Sequence, residues 1–367
     1  MKHILSFDIA KGKSVYCFID EFKNIIIEPT LIEHNKNKFD NLLNLVKDYS
    51  NLIVVMESTS IYHLPVENYF RSKGIETIVM NPKLVKQFKD TLNKSKTDKL
   101  DCFKIARCYL GTIDNFYQKQ DEYFMYNPLA RQYWSLVEGQ TRLKNRYKQL
   151  IEIIFPEFSL IFNDLYDDLA LDFIHDFPHP TFFINRRIDY LMNYLKEKNG
   201  TTQAYRFKNK VLKMKELASN SLCYVAFDSF QVQNLVQTIE MIQFHKTEIN
   251  KIKNQLINEM KNKNLFKIIN SIPGFGEFST ALFLAEVGNV TRFDDKYQFI
   301  SFIGIDSVTS QSGVSEYHEP ISKTGCKFGR TILFNIVTTI IQISAHAYKT
   351  NPIYLLFRKK KSEGKHH

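Results

Sequence analysis

The first hundred or so residues alternate between short apolar runs and amphipathic stretches, and the periods predict a sheet-and-helix order. Residues 3–8 (His-Ile-Leu-Ser-Phe-Asp) predict a strand ending in Asp8, Ala10 to Lys13 a turn, and residues 14–20 and 24–28 two more strands, together an antiparallel meander. Phe39, Leu42, Leu43 and Val46 recur at helical spacing, which predicts a helix over 36–49. The run from Asn51 to Met56 reads as a strand covered on both faces, and it leads into Glu57. A helix over 62–72 closed by Gly74, a buried strand over 75–80, a helix over 83–92 opened by Pro82 and a helix from Asp98 to Leu110 follow.

The order β-β-β-α-β-α-β-α is that of an α/β, ribonuclease H-like fold, with the first and fourth strands adjacent at the centre of the sheet. On that fold Asp8 and Glu57 face each other at neighbouring strand ends. Asp98 and Asp101, three apart on one helix face, come over the same edge. Carboxylates held so close repel, and a cation with oxygen ligands relieves the repulsion. Taken singly, each also reads as a helix cap, a turn residue or a strand end.

The remainder is mainly helical. After a polar, aromatic connector (111–128), residues 129–154 form an amphipathic helix. Its apolar stripe runs from Leu129 to Ile154, and Arg131, Arg142, Lys144, Arg146 and Lys148 lie on the other face. Trp134, the only tryptophan, reads as a packing residue. Residues 157–205 read as irregular and aromatic-rich, with no assignable chemistry. Helices over 208–222 and 230–262 follow, and the stripe from Val232 to Leu256 suits either self-association or packing within the chain.

Leu265–Ile269, Pro273-Gly274-Phe275-Gly276 and Ser279–Glu286 predict a helix-hairpin-helix. In such a hairpin Gly274 and Gly276 would let backbone N–H groups approach a phosphate at a helix N-terminus; a plain helical hairpin fits the same pattern. Beyond a short helix (295–303) lies a hydroxyl-rich loop, Gly304–Gly313, then Ile321–Arg330 and an apolar helix over 331–348. A serine in that loop could attack a phosphodiester, with Lys323, Lys327 and Arg330 stabilising the developing charge. Arg358–Lys361 reads as a disordered basic end.

Composition changes this picture only modestly. A formal charge of +10 over 367 residues suggests a polyanionic partner, yet the chain is rich in Lys, Asn and Ile together, so charge carries weight only where it clusters. Five cysteines without a CxxC pair read as buried thiols in a reducing cytoplasm. No apolar run is expected to approach the length of a membrane span, and Met1-Lys2-His3 does not read as the start of a signal peptide.

The ordered set Phe7–Lys11, Met56–Thr59, Asn81-Pro82, Lys96–Asp101, Arg142–Arg146, Ile272–Gly276, Gln311–Gly313 and Ile321–Gly325 resembles the IS110 group of insertion-sequence transposases, relatives of the Piv-type DNA invertases. The resemblance implies a RuvC-like DEDD domain (1–112) and a helical linker and coiled-coil region (113–262). A C-terminal transposase domain (263–350) and a basic tail (351–367) complete the division. It implies that Asp8, Glu57, Asp98 and Asp101 hold magnesium or manganese, and that Ser312 is a nucleophile forming a transient link to DNA. It implies guidance by a structured (bridge) RNA that pairs with target and donor DNA, and a homo-oligomer, dimer or tetramer, in a bacterial or archaeal cytoplasm at the nucleoid. Lys96, Lys99, Arg142, Arg146, Gly274, Gly276, Lys323, Lys327 and Arg330 are then expected on nucleic acid. The chain departs from the family pattern at Asp306-Ser307, where a proline is usual nearby, at Cys326, where Asn is common, and at Glu316 and Glu319. The nucleophile is therefore open among Ser307, Ser310, Ser312 and Ser315. Two rival functions fit the same residues: a RuvC-type junction nuclease without serine chemistry, and a catalytically silent nucleic-acid-binding protein.

Overall fold

The N-terminal apolar runs form a five-stranded sheet because its central strands bury side chains on both faces. In the computed structural model of the chain, β1 (His3–Ala10), β2 (Lys13–Asp20) and β3 (Ile25–Glu33) form an antiparallel meander. β4 (Leu52–Glu57) and β5 (Glu76–Met80) add in parallel beside β1, for the order β3-β2-β1-β4-β5. The structure describes residues 1–364 apart from 59, 81, 83–84, 87–97, 112–121, 313–314 and 347–349, and it does not describe the side chains of 98–100, 307–312, 315–320 and 346. The helix expected over 83–92 lies largely outside the described residues.

The strand pleat sorts the apolar residues into two cores. Leu5, Phe7 and Ile9 of β1 and Val54 and Met56 of β4 pack with α1 (Lys36–Val46) and α2 (Leu64–Ser72). Ile4, Ile53, Val55, Ile78 and Met80 pack on the opposite face with Cys102, Ile105, Ala106 and Tyr109 of α3 (Asp98–Gly111). Cys17, Cys102 and Cys108 are buried, as expected, whereas Cys223 and Cys326 are only partly buried.

Residues 1–120 and 121–367 form two compact units. The spine of the second is an antiparallel pair, α4 (Asn127–Ile154) and α9 (Phe230–Met260). Arg146 Nη2 donates to Asn234 Oδ1 at 2.9 Å towards one end, and Ala130 packs with Ile252 and Leu256 at the other. The apolar stripe of α9 is thus buried within the chain.

Between the spine helices lie α5 (Asp168–Asp176), α6 (Thr181–Ile184), α7 (Ile188–Lys198) and α8 (Lys208–Asn220). They correct the expectation of irregular chain over 157–205. Helices of four to eleven residues show too few turns for a 3.6-residue period to stand out, and Pro178 and Pro180 punctuate them. The aromatic residues that obscured the pattern are the core: Phe155, Phe158, Phe173 and Phe183 are fully buried together.

At the other end of the spine pack α10 (Asn264–Asn270), α11 (Glu277–Val287), α12 (Lys296–Ile303), α13 (Lys327–His346) and α14 (Pro352–Ser362), with a hairpin of β6 (Ser307–Ser312) and β7 (Ser315–Ile321). Residues 280–287 of α11 are all buried. By length and composition Lys327–Ala345 of α13 is apolar enough to cross a membrane, which amends the reading from uninterrupted runs. One face of this helix, Ile332, Ile336 and Ile340, is buried in the same core as α11. The basic end is also corrected. Asn351 caps α14 by accepting from Ile353 N, Pro352 opens it, and Lys359–Lys361 lie in its last turn, where cations suit the helix dipole.

Candidate active site

Two neighbouring strand ends build the acidic centre. The β1–β4 register ends at Phe7 opposite Met56, so Asp8 and Glu57 follow as adjacent residues of parallel strands. By the pleat Asp8 shares the face of Ile4, and Glu57 that of Ile53 and Val55, which is the face covered by α3. Both are half-buried. The buried Ser6 hydroxyl donates to the Cys102 carbonyl at 2.7 Å and ties α3 to β1 one pleat below Asp8. That bond holds Asp101, the preceding residue, at the same end of the sheet. Cys102 is held below the ordinary thiol value chiefly by its hydrogen bond with Cys17, against burial and the charge of nearby Asp8.

Asp98 opens α3 one turn before Asp101. Its side chain, that of Lys99, and Lys96 lie outside the described residues. Lys104 Nζ stands 3.4 Å from Asp101 Oδ1 and offsets part of the acidic charge. Among the described residues no group of three His, Cys, Asp or Glu is poised to hold an ion. The donor chemistry, carboxylate oxygen throughout, fits a hard divalent cation.

The hydroxyl-rich loop is a hairpin, with Ser312 opposite Ser315 at the end of the β6–β7 ladder. Its base is tightly pinned. Ser322 donates through its hydroxyl to Asp306 Oδ1 at 2.5 Å and through its N–H to the Asp306 carbonyl at 2.9 Å, and Lys323 N–H donates to the Gly304 carbonyl at 3.1 Å. Asp306, a departure from the family pattern, is thus an anchor of this base. Gly304 and Gly325 lie back to back: a Cβ on Gly304 would come 2.5 Å from the Gly325 nitrogen. Arg330, expected on phosphate, donates to the Ile303 carbonyl at 2.6 Å and braces the same base. Lys323 and Lys327 are exposed beside it, Lys327 4.0 Å from Glu138. The side chains of Ser307, Ser310, Ser312 and Ser315 lie outside the described residues.

Gly274 has φ +95°, and a Cβ there would be driven into Ile340 Cγ1 of α13, so its glycine serves packing as well as the turn. Gly276 is extended, its N–H donates to Ser279 Oγ at 2.8 Å, and Glu277 occupies the first turn of α11. The helix end expected to meet phosphate therefore already carries an internal acceptor and a carboxylate. Gly274→Ala should lower stability by about 2–4 kcal/mol, from the positive φ and the overpacking, read as a urea midpoint shift at constant m.

A buried carboxylate escaped the reading of the chain. Glu286 of α11 has no exposed side-chain surface; Arg131 Nη2 lies 3.0 Å and Asn127 Nδ2 3.3 Å from its Oε2. Burial raises its pKa, and Arg131 and Asn127 oppose that rise. Trp134 stacks on Phe328 with centroids 4.8 Å apart, and the Arg131 guanidinium lies 4.5 Å over the same ring. A lone acid inside the run Thr280–Val287 was the available signal. Arg131→Ala leaves that charge without its cation and should cost about 2 kcal/mol, discounted because Arg131 is half exposed, measured by chemical denaturation.

Arg142 and Arg146 are exposed on α4, so the cationic face expected there is on the surface. No curated protein matches the chain. Two family models do: an IS110-type DEDD transposase model over residues 5–156, spanning Asp8, Glu57, Asp98 and Asp101, and a model of the transposase IS116/IS110/IS902 family over residues 266–350, spanning the serine hairpin. Acidic strand ends in one unit and a braced serine hairpin in the other fall inside these two matches, and the chain belongs to the IS110 family of insertion-sequence transposases.

Proposed function

We propose that this transposase cuts and rejoins DNA strands with a ribonuclease H-like acidic tetrad and a serine nucleophile, under the direction of a structured RNA. The observation that carries the reading is the adjacency of Asp8 and Glu57 on one face of β1 and β4, with Asp101 tethered to the same sheet end through Ser6 and Cys102. Asp8, Glu57, Asp98 and Asp101 would hold magnesium or manganese. The metal, when bound, supplies Lewis-acid polarisation of the scissile phosphate. Lys104 offsets part of the repulsion among the carboxylates and adds a cation where the phosphate would arrive.

In the proposed step the Ser312 oxygen forms a bond to phosphorus and the bond from phosphorus to the strand's deoxyribose oxygen breaks. The serine proton ends on that leaving oxygen. The link remains a phosphodiester, so a deoxyribose hydroxyl of another strand can reverse the step and rejoin the DNA. Lys323 and Lys327 would pair with phosphate oxygens. Arg330 acts by bracing the hairpin base. The domain division at 112, 262 and 350, the multimer and the guide RNA belong to the same reading.

Trapping the reaction under denaturing conditions tests it. A DNA-linked protein band, with the modified peptide mapping to Gln311–Ser315, is the expected result. Metal-dependent nicking without any adduct would favour the water-using nuclease, and no nicking with any divalent metal would favour a silent binding protein. Sequencing of nucleic acid that co-purifies with the protein tests the RNA: one structured species is expected, and random cellular fragments count against guidance.

A further inference from the structure

Residues 157–229 lie between the two matched stretches, and their charge is sorted along the chain. From Glu157 to Asp176 there are six acidic residues and no Lys or Arg; from Arg186 to Lys215 there are nine Lys or Arg and two acidic residues. The fold keeps much of this separation. Asp172 and Asp176 of α5 take up Lys198, at 3.3 and 3.7 Å, and the hydroxyl of Tyr194. The other cations gather along α7 and α8.

Lys208 and Lys215 are seven residues apart, so they share one side of α8, about 10 Å apart along its axis, with exposed Leu212 between them. Lys215 Nζ donates to the Arg186 carbonyl at 2.6 Å, which brings Arg186 and Arg187, at the head of α7, to one end of the stripe, where Arg187 makes an exposed ion pair with Asp189 at 3.0 Å. At the other end the Lys208 ammonium lies 5.3 Å from the Tyr205 ring, which is 74% exposed, and Arg206 is exposed beside it. Arg186 likewise lies 5.3 Å from the Tyr190 ring. The result is a row of cations on an edge with open aromatic rings. Lys210 and Lys213 point elsewhere, onto the Phe162 ring and the Leu160 carbonyl.

We propose that this α7–α8 edge is a docking surface for the phosphate backbone of duplex DNA. Charge complementarity selects the occupant. A stripe of side-chain cations spaced over two helical turns matches a polyanion, and contacts of this kind position a protein without reading sequence. DNA is the polyanion that an insertion-sequence transposase handles, so the inference rests on that membership and not on the serine chemistry. The acidic α5 side repels the same backbone and so sets the face on which it lies.

The test uses the full chain carrying Arg186→Gln, Arg187→Gln, Arg206→Gln and Lys208→Gln, with duplex DNA binding measured across a potassium chloride series. Each lost phosphate contact removes about 0.9 from the slope of log affinity against log salt, so a fall of about 3 to 4 is expected. A control with Lys23, Lys36, Lys47 and Lys73 changed to Gln removes the same charge from the sheet unit and should leave the slope near its original value. An unchanged slope in the first variant, or an equal fall in the control, overturns the proposal. So does a loss of binding confined to single-stranded RNA, with duplex DNA unaffected. Should the quadruple variant misfold by circular dichroism, Lys208→Glu with Arg206→Glu gives the same readout from two surface positions. Absence of a serine adduct in the wild-type protein would overturn the proposed chemistry and leave this salt dependence fully readable.

Discussion

Asp101→Asn should reduce DNA strand cleavage about a thousandfold or more, whatever divalent metal is supplied. Asp101 sits at the start of α3, held at the end of β1 by the buried bond from Ser6 to the Cys102 carbonyl. Asparagine keeps the shape and removes the charge. If Asp101 is a metal ligand, as proposed, its loss forfeits about 4 kcal/mol of transition-state stabilisation. The ion pair with Lys104 is lost as well, and because both side chains are mostly buried stability should fall by about 1 kcal/mol. The measurement is nicking of a DNA substrate over a magnesium and manganese titration, alongside a denaturation curve. Wild-type nicking by a folded Asp101→Asn protein would remove Asp101 from the proposed tetrad. The same substitution at Asp8 should behave alike, since Asp8 and Glu57 end adjacent parallel strands.

Ser312→Ala should abolish the covalent protein–DNA adduct while leaving DNA affinity within about twofold, since a missing nucleophile removes the step and not the binding. The hairpin makes this a discriminating experiment. Ser312 and Ser315 pair at the end of the ladder, whereas Ser307 pairs with Ile321 beside the pinned base. If Ser312 is the nucleophile, as proposed, substituting Ser307, Ser310 or Ser315 by Ala should retain adduct formation. An adduct that survives Ser312→Ala and disappears in one of the others moves the nucleophile to that serine. One that survives all four removes serine chemistry from this loop.

Much of the sheet unit was legible from local pattern. Period-two alternation and continuous apolar runs mark β1, β2, β4 and β5, and the element order predicts β1 beside β4, so Asp8 and Glu57 could be expected at neighbouring strand ends. The long spine helices were legible for the same reason: seven or more turns give a period that noise cannot hide. The short helices between Asp168 and Lys198 were not, because at most three turns of aromatic-rich chain look alike in helix and loop.

Side-chain roles were harder still. Arg330 and Lys323 look equivalent along the chain, yet only the fold turns Arg330 inward to the Ile303 carbonyl. Gly274 looked like an opening for a phosphate; packing shows Ile336 and Ile340 already filling the space. Glu286 stands in an apolar run with nothing local to pair with, and its partners Arg131 and Asn127 are more than 150 residues away.

The sequence by itself determined the order of the sheet unit and the long helices, the strand-end placement of Asp8 and Glu57, the i,i+3 relation of Asp98 and Asp101, and a motif set specific enough to identify the family. These depend on periods and spacings, which are local properties of the chain. Tertiary structure decided which cations brace and which face outward, that the stripe of α9 is spent on α4, and that Glu286 is buried against Arg131. Each of these turns on contacts between residues far apart in the chain, and whether a charge is a ligand or a brace depends on what lies across from it.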